Sequence, residues 1–369
     1  MKEWKQTEIR IPANTWNKQN VNAIKVKIDK GFGNFDAKET YPNIIEKNIY
    51  NEDKALPYLI KLEKTYELSS SFNVVGLETQ KIIERNANFL RLFEIPENII
   101  IEKPLKISFD TNDSKVINER IVLIAKKNCK VKVIIDFNNN FNHSGYLSVF
   151  AEDNAEIEIF YVQNLSNISA HNAYINGFAE DNAVVKLNII EVGAKNPNVS
   201  VHFALVGHKS ELDANILYLG DEKRNIDIAS RVDIIGKEAV ANIFCKGILL
   251  DECKKTLRDT LLFVNGAKGS KGKEIEHVLM LSPFVKNVSV PILLCGEEDV
   301  EGEHATSSGK IDDKSLFYMM SRGISESEAK KLIAWGAFAS VINNIDDDAI
   351  KKSIEDKVEM AVVKGVENE

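Results

Sequence analysis

His304 has the most open chemistry of any residue in the chain. It closes the acidic run 297–303 (EEDVEGE), where a neutral imidazole nitrogen could ligate iron or zinc, or the ring could titrate in solvent among the carboxylates. His143, His171, His202, His208 and His277 fall singly in strands and turns and read as structural or solvated. The four cysteines, Cys129, Cys245, Cys253 and Cys295, form no CxxC pair. That speaks against a disulfide framework and against a self-contained zinc or ferredoxin site, so any metal must be sparsely ligated or shared. Cys295 follows the apolar segment 291–294 (PILL) and reads as a buried small hydrophobe; the other three share that default. None has a lysine–histidine setting that would mark an activated thiol.

The glycine–lysine segment 266–274 (GAKGSKGKE) invites comparison with a phosphate cradle. A P-loop needs glycine five residues before the Gly-Lys pair and Ser or Thr after it, and those places hold Ala267 and Glu274. The segment reads as a solvated loop between strands, and no nucleotide is expected to bind this chain. With neither a nucleophile–base pair nor a cofactor fingerprint, there is little here for an independent enzyme, and no catalytic residue is assigned.

The elements that position these residues fall into three stretches. In residues 1–104, Leu56, Leu59, Ile60 and Leu62 recur at helical spacing among charges, interrupted by glycines at 31–33 and serines at 69–71, which suggests a mixed, partly helical cap. From 105 to 310 short β-branched runs alternate with Asn, Asp and Gly. Segments 125–133, 151–159 and 179–187 (AKKNCKVKV, AEDNAEIEI, AEDNAVVKL) share one design, and weaker copies start at Gly207 and Gly236. A period near 28 residues suggests a solenoid, because one turn and strand cannot bury its inward side chains alone while stacked copies can. A parallel β-helix fits best, with Ile157 and Ile159 inside and Glu156 and Glu158 outside. A β-sandwich with similar turns is the alternative.

Residues 311–369 return to helix. Asp312 is the expected N-cap of a first helix carrying Leu316, Phe317 and Met320 on one face and stopped by Gly323. Ser325 and Glu328 form a capping box for a second, with a stripe at Ala329, Leu332, Ile333, Gly336 and Ser340. A third is expected over 346–363, opened by three aspartates that suit the helix dipole.

A net charge of −8 argues against a broad nucleic-acid surface. The polar N-terminus and the lack of any run near the roughly 20 apolar residues needed to cross a bilayer suggest a cytoplasmic chain without membrane contact.

Residues 265–272 (NGAKGSKG), 279–282 (LMLS), 290–306 (VPILLCGEEDVEGEHAT) and 316–329 (LFYMMSRGISESEA) together resemble the SufB/SufD family. The resemblance implies a right-handed parallel β-helix with a C-terminal helical segment. It further implies a scaffold subunit that pairs through its β-helix with a SufB-like homologue and presents its C-terminal helices to a SufC-like ABC-type ATPase, with self-association possible in isolation. His304 occupies the place of a histidine implicated in holding a transient iron–sulfur cluster shared with the SufB-like partner. Here it reads His304-Ala305-Thr306, where His-Gly-Ala-Thr is usual. The SufB-type cysteine expected before the corresponding proline is missing from 285–291, which favours the SufD side of the family. Leu316, Phe317, Tyr318 and Arg322 match the ATPase-docking region, with Leu316 and Phe317 expected to pack and Arg322 to face a partner. Two further readings stand beside this one: a purely structural member of the family that ligates no metal, and a β-helix enzyme acting on polysaccharide through paired outward carboxylates.

Overall fold

The computed structural model describes residues 8–11, 24–27, 45–47, 55–68, 83, 87, 89–111 and 116–367; the expected breaks at 31–33 and 69–71 lie outside them. Strands are numbered in chain order. A small hairpin of β1 (Glu8–Ile11) and β2 (Ile24–Lys27) precedes β3 (Ile45–Lys47) and helix α1 (Leu56–Leu68). The rest of the β structure forms two sheets. The first contains β4 (Phe89–Ile95), β6 (Val116–Ala125), β8 (Asn142–Ala151), β10 (Ala170–Ala179), β12 (Asn196–Leu205), β14 (Asn225–Ile234), β16 (Lys254–Phe263) and β18 (Lys286–Cys295), with β3 antiparallel at its β4 edge. The second contains β5 (Leu105–Thr111), β7 (Lys130–Asn139), β9 (Glu156–Leu165), β11 (Val184–Glu191), β13 (Glu211–Gly220), β15 (Val240–Leu249), β17 (Ser270–Met280) and β19 (Val300–Gly309).

Successive strands therefore alternate between sheets, and each pairs in parallel with the strand two positions on. This is the expected parallel solenoid, of about seven turns. In the second sheet Lys130, Glu156, Val184, Glu211 and Val240 stack in register, at steps of 26, 28, 27 and 29 residues.

The repeated Ala-x-x-Asn-Ala motif has a local cause. Asn128, Asn154 and Asn182 have φ of 55°, 58° and 54°, a left-handed conformation that asparagine tolerates better than most residues. Their amides stack into a ladder from Asn182 to Asn154, Asn128 and Asn98, with bonds of 3.2, 3.0 and 2.8 Å. The flanking alanines, such as Ala151, Ala155, Ala179 and Ala183, are buried where the chain bends.

Side chains alternate as expected. Ile157 and Ile159 are buried in the lumen, while Glu156 and Glu158 face out into ion pairs with Lys130 and Lys132. The lumen is one continuous apolar core. Both outer faces are also covered, so the later half of most strands is buried on both sides. Helix α1 lies on the first sheet through Tyr58, Leu62 and Tyr66, with Tyr58 stacked on Phe150 at 5.4 Å between ring centres.

After the solenoid come α2 (Asp313–Ser321), α3 (Glu326–Ile342) and α4 (Asp348–Glu367). Two caps form as the sequence indicates, Asp312 accepting from the Ser315 amide and Ser325 from the Glu328 amide; Asp347, among the aspartates expected to suit the helix dipole, also accepts from the Ile350 amide. Gly323 ends α2 at φ 88°. Helices α3 and α4 cover the second sheet, burying Ala334, Phe338, Val341, Ile342, Ile354 and Val358 against Phe160, Val162, Ile190 and Leu217. The buried stripe of α3 thus differs from the expected one: Ala329 is buried, but Leu332 is 45 % exposed and the seam runs through Phe338. Apolar residues occur all round this helix, so periodicity alone does not select the packed face.

Candidate functional site

The solenoid is closed along its length and open at its last turn. Nearly every residue of β19 is exposed, and β18 is half-buried or exposed throughout, because no further turn stacks on either strand. His304 lies in the middle of β19, exposed, in register with Glu274 of β17. Glu274, Glu276 and Val278 point into the lumen, so His304, Thr306 and Ser308 continue that inward face on the uncovered strand.

Directly beneath lies a polar group inside the solenoid. Glu276 accepts from Tyr218 Oη at 2.6 Å, from buried Lys255 Nζ and from Ser289 Oγ. Lys255 also donates to Ser289 Oγ at 2.9 Å and to the Val288 carbonyl at 3.3 Å. Burial lowers its pKa below the ordinary lysine value, although Glu276 pulls the other way. Asp259 accepts from Ser230 Oγ and, at 3.4 Å, from Cys245 Sγ; burial pushes its carboxyl up to about 6. Glu274 is pushed up to about 9, by burial first and then by Asp259 and Glu276, and its Oε2 has no hydrogen-bond partner. The same burial holds the Cys245 thiol well above its usual range, so it is protonated and a poor nucleophile.

Among the described residues no three His, Cys, Asp or Glu side chains are arranged to hold a metal ion. Among the described residues, His304 stands at the rim with the carboxylates of Glu274 and Glu276 beneath it. Cys129, Cys245 and Cys253 are buried as expected, whereas Cys295 is exposed, because it ends the edge strand β18 and no turn covers it. Outward carboxylates of β19 pair with lysines one turn below, Glu301 with Lys271 and Glu303 with Lys273.

The helical residues divide. Leu316 is half-buried in a pocket of about 210 Å³ that also has Leu250, Met280, Pro283, Ile311 and Val362 in its wall. Phe317, expected to pack, is 73 % exposed; Tyr318 is exposed too, and the Arg322 guanidinium lies over its ring at 5.2 Å. No residue of α2 is fully buried.

Sequence reasoning missed the lumen polar residues Lys255, Asp259, Glu274 and Glu276. Parity in the repeat was the available signal: extending the in/out alternation to β17 puts Glu274 and Glu276 on the inward side.

A parallel solenoid with an open, edge-exposed last turn and a helical tail folded back on one face defines a class of β-solenoid proteins with a free end. The SUF system FeS cluster assembly SufBD core domain matches residues 108–337. The chain belongs to the SufB/SufD family, and its likeness is to SufD. It is 25 % identical to the iron-sulfur cluster assembly protein SufD of Bacillus subtilis over 73 % of this chain and 63 % of the relative. It is 26 % identical to an iron-sulfur cluster assembly SufBD family protein of Pyrococcus horikoshii, over 71 % and 60 % of the two chains. A Mycobacterium leprae member of the same family is 24 % identical over 58 % of this chain and 56 % of its own. The chain thus spans roughly three fifths of the length of the curated relatives it matches. No helix among the described residues is long and apolar enough to cross a membrane.

Proposed function

We propose that this chain is a SufD-like scaffold subunit that helps assemble iron–sulfur clusters in the cytoplasm without turning over a substrate by itself. It pairs through the open end of its solenoid with a SufB-like homologue, His304 gives one ligand to a nascent cluster shared across that boundary, and a SufC-like ATPase docks on α2 and the turn at Arg322. The division into cap (1–104), solenoid (105–310) and docking segment (311–369) belongs to the same reading. The observation that carries it is β19: one uncovered strand presents unpaired backbone groups along its edge and His304 on its inward face. An exposed sheet edge is a template for pairing with another chain. The lack of a complete metal set among the described residues favours a shared site. The exposed Phe317 and Tyr318 on a helix with no buried residue favour α2 as a contact surface.

Anaerobic reconstitution with the matching SufB-like and SufC-like proteins, comparing wild type with His304→Ala, tests the ligand. Loss of bound iron and of the cluster absorption, with the complex intact by size exclusion, is expected. An unchanged cluster yield removes the metal role and leaves the purely structural reading. Arg322→Glu is expected to weaken capture of the ATPase in a pull-down; undiminished capture removes the docking role from that residue.

A further inference from the structure

Away from the open end, the lumen holds a second polar group. Glu119 on β6, His143 on β8, His171 on β10 and Glu191 on β11 have side chains 0 % exposed, and their atoms follow one another in line. Only the central contact is a hydrogen bond, His143 Nδ1 to His171 Nδ1 at 3.0 Å; the outer approaches, Glu119 Oε1 to His143 Nε2 at 3.7 Å and His171 Nε2 to Glu191 Oε1 at 3.4 Å, leave those four buried atoms without a hydrogen-bond partner. Gln163 Nε2 then donates to Glu191 Oε2 at 2.8 Å, and Gln163 Oε1 accepts from the Leu165 amide at 2.8 Å. Gly145 makes the room: a Cβ there would sit 2.1 Å from Glu119 Oε1 and 2.7 Å from His143 Nε2.

Connectivity decides where the protons go. The Leu165 amide sets the orientation of the Gln163 amide, so Glu191 Oε2 is an acceptor. Two neutral imidazoles that meet through Nδ1 share one proton, so one ring donates and the other, bare at Nδ1, carries its proton on Nε2. If His171 receives, its Nε2–H faces Glu191 Oε1 across 3.4 Å, and Gln163 holds the other oxygen of that carboxylate. His143 then has a bare Nε2 facing Glu119 Oε1 across 3.7 Å, and a proton on Glu119 is the donor that side lacks. Burial favours this arrangement. It pushes the Glu119 carboxyl up to about 8, against the pull of Arg120, the Tyr146 and Ile121 backbone and the Tyr161 hydroxyl. Burial and neighbouring His171 hold His143 well below the usual imidazole range, which denies it a second proton. Tyr161 on β9, whose phenol burial pushes well above its usual range, and the ring of Phe137 on β7, 4.1 Å from His143 between ring centres, also border these residues.

We propose that Glu119, His143, His171 and Glu191 form one chain of coupled proton sites inside the lumen, with a proton on Glu119 and Glu191 as the acceptor facing His171 and Gln163. The chain is a proton-binding site sealed between turns, and it makes the stability of those turns depend on pH.

Two measurements on the full chain test this. With ¹⁵N-labelled histidine at pH 7, two of the six imidazoles are expected to be opposite neutral tautomers, His143 protonated at Nδ1 and His171 at Nε2, and both signals should move in Glu119→Gln. Identical tautomers, or a doubly protonated ring, overturn the proposal. Urea unfolding of Glu119→Gln and Glu191→Gln between pH 5.5 and 8.5 gives the second readout. A carboxyl whose folded pKa is raised contributes stability that is present below about 4.5 and lost as pH rises through about 8. Glu119→Gln keeps a donor for His143 Nε2, so its midpoint should match or exceed wild type, with a gain that grows towards pH 8. Glu191→Gln leaves one acceptor oxygen for two donors and should lower the midpoint throughout. Equal or reversed effects overturn the proposal, as does a stoichiometric metal in the purified chain that is lost from Glu119→Gln.

Discussion

The middle turns of the solenoid and its last turn use the same strand pattern and end in opposite states. In β9 the alternation buries Ile157 and Ile159 completely, and the outward glutamates meet lysines. In β19 the equivalent inward places hold Gly302, His304, Thr306 and Ser308, and almost nothing is buried. Charges in the lumen follow the same division. Glu119 and Glu191 are sealed beside histidines, whereas Asp259, Glu274 and Glu276 lie one turn below an uncovered strand, with Glu276 and Asp259 gathered around Lys255. Stacking does the burying, so a rung with only one neighbour keeps its inward face available to a partner.

The largest effect should come from the cation that neutralises the end cluster. Lys255→Met leaves Glu276 and Asp259 buried without their counter-charge, and removing one partner of a buried pair costs about 3–5 kcal/mol. Urea unfolding reads this directly. A loss under about 1 kcal/mol would mean that the end of the lumen is wetter than the middle and screens its charges.

A matched pair of truncations sharpens the comparison. Ile159→Ala in a sealed turn should cost about 2–5 kcal/mol. Leu294→Ala on β18, where the side chain is 46 % exposed, should change stability by no more than about 0.5 kcal/mol in the isolated chain. If the last turn is a pairing surface, the second substitution should weaken association while leaving the monomer unchanged, which analytical ultracentrifugation with the partner would read.

The pH response of the end cluster comes next. The folded Glu274 carboxyl is raised to about 9 from an ordinary value of 4.5, so its contribution is present below pH 4.5 and lost as pH rises through 9. Glu274→Gln should therefore gain on wild type across that window, by at most about 1.4 kcal/mol per pH unit. A flat difference between pH 6 and 9 would mean that Glu274 is already ionised at the lower pH.

Much of this fold was legible because its turn chemistry repeats. An asparagine with positive φ between two small inward residues leaves a visible trace in AEDNA, and strand parity follows from it. The helix caps at Asp312 and Ser325 were legible for the same reason, since each needs one residue type at one place. The site was less so. His143 and His171 read as single histidines because only the register brings them together, 28 residues apart. Cys295 and Phe317 follow sequence patterns that elsewhere mean burial; their exposure depends on the solenoid ending at β19, which no local pattern records.

The smallest predicted effect concerns the point where the turn chemistry itself changes. The asparagine ladder stops after Asn182, and Lys209 and Glu238 take the next two places with φ of 54° and 53°. The backbone keeps its left-handed turn, yet neither side chain suits it, and each can offer only ion pairs such as those Lys209 and His208 make with Glu238. Exposed pairs of this kind contribute little. Lys209→Asn should therefore stabilise the chain by about 0.5–1 kcal/mol, through relief of left-handed strain and a further amide stacked on Asn182. A rise in urea midpoint with unchanged slope would show that the ladder can be extended towards the open end. A fall would mean that the ion pairs of the C-terminal turns, and not the backbone conformation, hold that half of the solenoid in register.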